Sequence, residues 1–429
     1  MSRTVQVVEV PGVEEAIGSR DPVGCAARIS EILGAGADPK EVVRTAALAA
    51  ARHFAPRLPP PHALPALAAS LDLAAKSGPR HLPVLQACAL AASEWGAEPL
   101  EGARHSVSGD EIHLGRSFLL AVQGRHALEA DAVFSGLLRE GEERRLAGDV
   151  LFDACARDAA GQGHKLTFAV GSWRLARALG WTRGPALLRP AVHVAAGTPQ
   201  DIAEYGAMLR EVGRSRFDLE LAGRNAAPVE AVARNSFAAA LAAGPDRVVA
   251  DLISGLKRGR SPAGYADLVA ATAAERFIGN PPAVETVLRA MAARFVVGFS
   301  RTPSHILAVL LAARDLARVP DADVPSPARI SDPEAALTEL EIAIEGSDPW
   351  RAAGLAMGLA DVVEARDVER VLSRQASLED AHADAGHRLL YAAGAFDLAA
   401  VAPATAYGSM AAMLARTRRS RTVAGALGL

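Results

Sequence analysis

Four histidines stand at matching positions of four similar stretches in this chain of 429 residues. His62 opens HALPALAASLDLA, His164 opens HKLTFAVGSWRLA, His305 opens HILAVLLAARDLA and His387 opens HRLLYAAGAFDLA. Every stretch has leucine two residues on (Leu64, Leu166, Leu307, Leu389) and Leu-Ala further along (Leu73-Ala74, Leu175-Ala176, Leu316-Ala317, Leu398-Ala399). Before the histidines stand RLPPP, GQG, RTPS and DAG, all turn or helix-start chemistry, which sets each histidine at the mouth of a helix. A neutral imidazole is the commonest metal ligand, and a helix N-terminus lowers imidazole pKa toward that neutral form.

If the copies pack around a common centre, the four imidazoles meet there. His53 and Asp158, at comparable ends of the preceding helix in copies one and two, and Glu275, near that end in copy three, are the groups expected to complete the shell. Two or three histidines with a carboxylate suit a divalent iron, manganese or zinc ion with open positions. Without a metal, His164 is the first candidate for catalysis, as general base. The same pattern has a plainer meaning: a histidine at a helix start can hydrogen-bond a neighbouring turn and fix a loop, and duplication copies it. No local metal motif such as H-E-x-x-H decides between these readings.

The elements that must position the histidines follow from apolar residues at three- and four-residue spacing. A helical pair precedes each histidine helix: PVGCAARISEILGAG with PKEVVRTAALAAARHF, ALEADAVFSGLLREG with RRLAGDVLFDACARDA, GPDRVVADLISGLKRG with AGYADLVAATAAERF, and DPEAALTELEIAIEGS with RAAGLAMGLADVVEA. The expected fold is all-α: about four irregular copies of a three-helix unit packed as a compact helical-repeat array. Residues 1–19 form an N-terminal arm, 20–225 a first half holding copies one and two, 226–400 a second half holding copies three and four, and 401–429 a C-terminal helix and basic tail. An insert at 278–299 adds a helix to copy three. HSVSGDEIHLGRS at 105–117 reads as a loop, and VQVVEV at 5–10 as a short strand. Seven residues beyond the histidines stand Ala69, Gly171, Ala312 and Gly394, on nearly the same helix face. Glycine costs roughly 1 kcal/mol against alanine inside a helix, so Gly171 and Gly394 imply either close helix packing or room for a ligand. Trp173, Trp181, Phe168 and Tyr391 read as core.

Composition narrows the function. Aromatics make up only 4% of residues against 50% hydrophobic, which favours tightly packed Ala/Leu/Val helices over a β-sandwich. A net charge of −3 gives no case for nucleic acid or an anionic membrane, and the basic run RTRRSR at 416–421 reads as a solvated tail. Cys25, Cys88 and Cys155 are far apart and form no C-x-x-C pair, which argues against a disulfide framework and for a reducing, cytoplasmic setting. The absence of G-x-x-x-x-G-K-[ST], of a Rossmann glycine fingerprint and of G-x-S-x-G argues against ATP, NAD and serine-hydrolase chemistry. No apolar run is long enough to span a membrane.

The stretches GHKLTFAVGSWRLARALG and LLRPAVHVAAGTPQDIAEY, with RTPSHILAVLLAARDLA later, resemble a helical domain of uncharacterised bacterial proteins that carry a Rieske iron–sulfur domain at one end. The resemblance spans about residues 20–400, and the paired Cys-and-His motifs of a Rieske cluster are absent here. It implies a helical part whose redox chemistry, if any, draws electrons from a partner reductase or from its substrate. Gly163-His164, with RHLPVLQACALAASEWGA at 80–97, is more faintly similar to helical enzymes of the questin oxidase type, which implies oxygen-dependent ring chemistry on polyketides.

The expectation is therefore a metal-dependent, non-haem oxidative enzyme acting on a hydrophobic secondary metabolite in a histidine-lined pocket. Two alternatives stand beside it: a non-catalytic helical-repeat module that binds a protein partner or a second copy of itself, and a metal-free acid–base enzyme or small-molecule binder using the same histidines.

Overall fold

Aspartate followed by proline begins four of the helices, and the physical reason is local. The carboxylates of Asp21, Asp38, Asp332 and Asp348 each accept from a backbone N–H of the first turn, and proline at the first helical position gives up a hydrogen bond the helix cannot make there. The resulting helices are Pro22–Gly34, Pro39–Arg52, Pro333–Glu345 and Pro349–Leu359. These pairs precede the His62 and His387 helices, so the first and fourth stretches share their start chemistry as well as their histidine.

The protein is described by a computed structural model covering residues 9–77, 81–138, 144–181, 183–197, 200–279, 284–300, 302–417 and 420–429. The fold is all-α: every regular element among the described residues is a helix, and one bridge between Ala227 and Arg260 is the β feature found there. No helix among them is long and apolar enough to cross a membrane. Of the expected strand at 5–10, residues 5–8 lie outside the described residues, and Glu9 and Val10 are not in a strand.

At the centre, four helices form a ring. Ala63–Ser77 packs on His164–Ala178 and His387–Ala399, and Val284–Phe299 closes the circle between the latter two. All four begin at one end and finish at the other. Their first turns line one pocket, and their last turns line another. Close approach is built in by glycine: a Cβ on Gly171 would sit 2.5 Å from Pro65 Cβ, and one on Gly394 would sit 2.5 Å from Met291 Sδ. Those contacts give both glycines the close-packing role. Trp173, Phe168 and Tyr391 are core, and Trp181 packs edge-on against Trp173.

The far end of the ring repeats the logic of the histidines with charge. Asp72, Arg174 and Asp397 lie ten residues beyond His62, His164 and His387, and Arg174 bridges both aspartates, with 2.9 Å to Asp72. At 1.5 Å per residue this polar knot stands about 15 Å from the histidine end. A mostly apolar cavity of about 100 Å³ lies between them, walled by residues that include Ala68, Ala69, Gly171, Ala393 and Gly394.

Three expectations are corrected here. The extra helix expected in the insert 278–299, of which residues 280–283 lie outside the described residues, is Val284–Phe299. It takes the place in the ring expected of the His305 helix (Ile306–Leu316), which packs against it and against Pro245–Lys257 and Pro262–Gly279. The segment 105–117 is not all loop, because Asp110 caps a helix at Glu111–Gln123 by accepting from the Ile112 amide. The basic run is not a free tail, since Arg416 donates to the Phe277 and Ile278 carbonyls and Arg421 pairs with Glu379. Residues 418–419 of that run lie outside the described residues.

Candidate metal centre

Two of the ring histidines are reached through a glycine in the left-handed region. Gly163 (φ 84°) precedes His164 and Gly386 (φ 76°) precedes His387, a conformation that side chains beyond glycine seldom adopt. The tight turn makes each histidine the first helical residue, on the inner edge of the ring. His62 arrives through a proline-rich lead-in and precedes its helix by one residue.

The three imidazoles meet. One ring nitrogen from each of His62, His164 and His387 lies within 4.8 Å of the others, and the ring centroids are 5.2 Å (His62–His164), 4.9 Å (His62–His387) and 6.0 Å (His164–His387) apart. Nε2 of His62 and Nε2 of His387 are buried and have no hydrogen-bond partner. His164 hydrogen-bonds the Gly161 carbonyl through Nδ1. With Nδ1 donating, its Nε2 carries the free lone pair, the arrangement typical of a ligating histidine. Burial keeps the His62 imidazole well below its ordinary pKa, and the neighbouring His387, His164 and Arg57 push the same way. His387 is also lowered by burial, against the opposing pull of Asp384 and Glu285. The neutral, lone-pair-bearing form that binds a cation is thus favoured at both.

A fit to metal follows from these donors. Bond lengths near 2.0–2.1 Å in a tetrahedral set put ligand nitrogens about 3.3 Å apart, which modest side-chain rotation reaches from the present spacing. Three protein nitrogens leave at least one position open, as catalytic rather than structural zinc sites do. The three histidines line a bowl of about 640 Å³ whose lining also includes Arg57, Pro59, Pro60, Glu94, Gln162 and Glu285.

Glu94, Glu285, Arg57 and Gln162 were not singled out by sequence. Glu94 carried a signal nonetheless: it is the C-cap of Leu82–Ser93, a helix of mainly apolar residues, where the helix dipole disfavours a carboxylate. The structure shows its use. Glu94 Oε2 accepts from the Ala63 amide at 2.7 Å, and the carboxylate also receives the His62 amide, so it caps the His62 helix from a neighbouring element. Burial pushes its pKa up to about 7, against those two amides and Arg57.

The remaining expected ligands are not brought to this cluster. His305 is buried with Nε2 at 3.1 Å from the Asp149 carbonyl, while Ser300 and Thr302 hydroxyls bond the Asp149 carboxylate. It fastens the start of its helix to a neighbouring helix, which is the plainer role. His53 stacks on Trp95 at a centroid distance of 4.0 Å. Asp158 pairs with Lys165 at 2.6 Å and accepts from the Ala160 and Asp201 amides. Glu275 sits beside Arg276 and Asp321, raised in pKa by burial. The three cysteines are buried thiols, with Cys25 and Cys155 pushed up to about 12 by burial, which makes them poor nucleophiles.

Comparison of the chain with protein-family models, curated proteins and solved structures finds no match in any of the three.

Proposed function

We propose that the protein is a metal-dependent enzyme whose ion is held by His62, His164 and His387, and that it transforms a hydrophobic small molecule seated in the adjoining bowl. The observation that carries this reading is the convergence of three imidazoles, two with buried unpartnered nitrogens, on an accessible pocket. An interaction module would have its histidines dispersed at loop junctions, and three of the four are instead gathered.

A bound iron or manganese would supply oxidative chemistry there, and zinc would supply a Lewis acid. The chain's own part is separable from the ion. Gly163 and Gly386 set the ring positions, Gly161 orients His164, Glu94 holds the start of the His62 helix, and Pro59 and Pro60 give the bowl an apolar rim. The oxidative assignment leans on the questin-oxidase-like stretch around His164. The metal-free alternative keeps one specific support, two imidazoles, His62 and His387, whose pKa burial lowers, near a carboxyl raised to about 7. Unpaired Cys25, Cys88 and Cys155 are consistent with the cytoplasmic setting that forms part of the proposal.

The test is elemental analysis of protein purified without chelating resin, as wild type and as His62→Ala, His164→Ala, His387→Ala and His305→Ala. Near-stoichiometric metal in the wild type and in His305→Ala, lost in the other three, is the expected pattern. A wild type that takes up no iron, manganese or zinc after reconstitution would overturn the metal reading in favour of acid–base chemistry.

A further inference from the structure

The charges around the three histidines say what kind of molecule fills the open side of the centre. Three neutral imidazoles leave a divalent ion its full charge, whereas a carboxylate ligand would have neutralised part of it. The ion would also lie at the N-terminal ends of the Ala63–Ser77, His164–Ala178 and His387–Ala399 helices, each equivalent to roughly half a positive charge. A cation there is opposed by all three helix ends. Glu285 and Glu94 offset that opposition in part, and both line the bowl. Glu94 is already engaged by the His62 and Ala63 amides.

One more charge faces the same space. Arg57 is exposed, lines the bowl and makes no ion pair with any described residue. It is near enough to depress the pKa of His62 and of Glu94. An uncommitted guanidinium beside a positively charged centre is a poor arrangement for a neutral substrate and a good one for an anion. His62, only 2% exposed and with its Nε2 unpartnered, lines the same bowl, so an ion held there would lie beside this space.

We infer that the substrate is an organic anion, with an apolar body against Pro59, Pro60 and Ala385 and an oxyanion (carboxylate, enolate or phenolate) shared between the open metal position and Arg57. This rests on the metal-centre reading above and narrows its substrate class. Arg57 is then a specificity-determining residue, because it recognises charge that the apolar rim cannot.

The experiment uses the full chain loaded with Co(II), whose visible spectrum reports its ligands. Benzoate serves as the apolar anion, and benzyl alcohol as its uncharged counterpart of similar size. The inference expects benzoate to shift the spectrum saturably and benzyl alcohol to leave it unchanged at tenfold higher concentration. Arg57→Ala, an exposed substitution, is expected to weaken benzoate by about 10- to 100-fold while Co(II) binding is retained. Equal responses to the two probes, or wild-type benzoate affinity in Arg57→Ala, would overturn the inference while leaving the metal centre intact. Failure of Co(II) to bind would overturn the metal reading, and this inference with it.

Discussion

Glu94 shows how much one side chain can contribute at this site. Its carboxylate replaces the local cap that the proline-rich lead-in to the His62 helix cannot provide, so its loss should be felt at both the helix and the histidine. Glu94→Ala is expected to cost about 1 kcal/mol in denaturant unfolding and to weaken metal binding. Glu94→Gln retains an acceptor oxygen and should recover most of the stability. Equal stability of the alanine variant and wild type would show that water replaces the cap. At this scale the sequence was partly legible. The four histidines were visible because the flanking leucines repeat, but His305 has the same flanks and a different fate. A left-handed glycine precedes His164 and His387, whereas serine precedes His305; His62, preceded by proline, joins the cluster without that signal. Glu94 was overlooked because its partner amides lie about thirty residues away, beyond any local spacing rule.

Helices were the most readable elements, since periodic apolar residues and Asp-Pro starts are local properties. Which helix joins the ring is not local, and the insert supplied the fourth wall in place of the His305 helix. Two substitutions test how tightly that ring is drawn. Gly171→Ala would drive a methyl group against the Pro65 ring, a rigid neighbour, and should cost about 1–3 kcal/mol and lower metal affinity. Gly394→Ala meets a flexible Met291 thioether, so repacking and the gain of about 1 kcal/mol in helix propensity should leave it within about 1 kcal/mol of wild type. Comparable losses in the two variants would contradict this ordering.

The C-terminal helix Thr422–Ala426 gives a pH prediction of the same kind. Burial alone would raise the pKa of Asp380, but bonds from the Thr422 and Ser420 hydroxyls and the Val423 and Thr422 amides outweigh it and hold the carboxyl below its ordinary value. With the folded pKa below the unfolded value of about 3.9, this anchor is at full strength above that pH and is lost as pH falls through the lowered value. Proteolytic release of residues 420–429 should therefore rise at pH 3 in the wild type, and already at pH 7 in Asp380→Ala.

For the whole molecule, the buried core runs through nearly the entire chain, and the ring takes helices from both sides of residue 225. Composition announced this class of fold, since an alanine-rich, aromatic-poor chain can bury its surface only by bringing helices close together. The order of helices around the ring was not announced, because it depends on contacts between remote segments. Those separations have a thermodynamic corollary. Matching positions of the three histidine helices lie 102 and 223 residues apart, so one ion gripping all three would close two very long loops at once. Such an ion acts as a reversible staple, encoded without a covalent bond, and its removal by chelator should lower the melting temperature of the entire domain in a single cooperative transition. The supply of metal would then set the lifetime of the fold as well as the rate of the reaction.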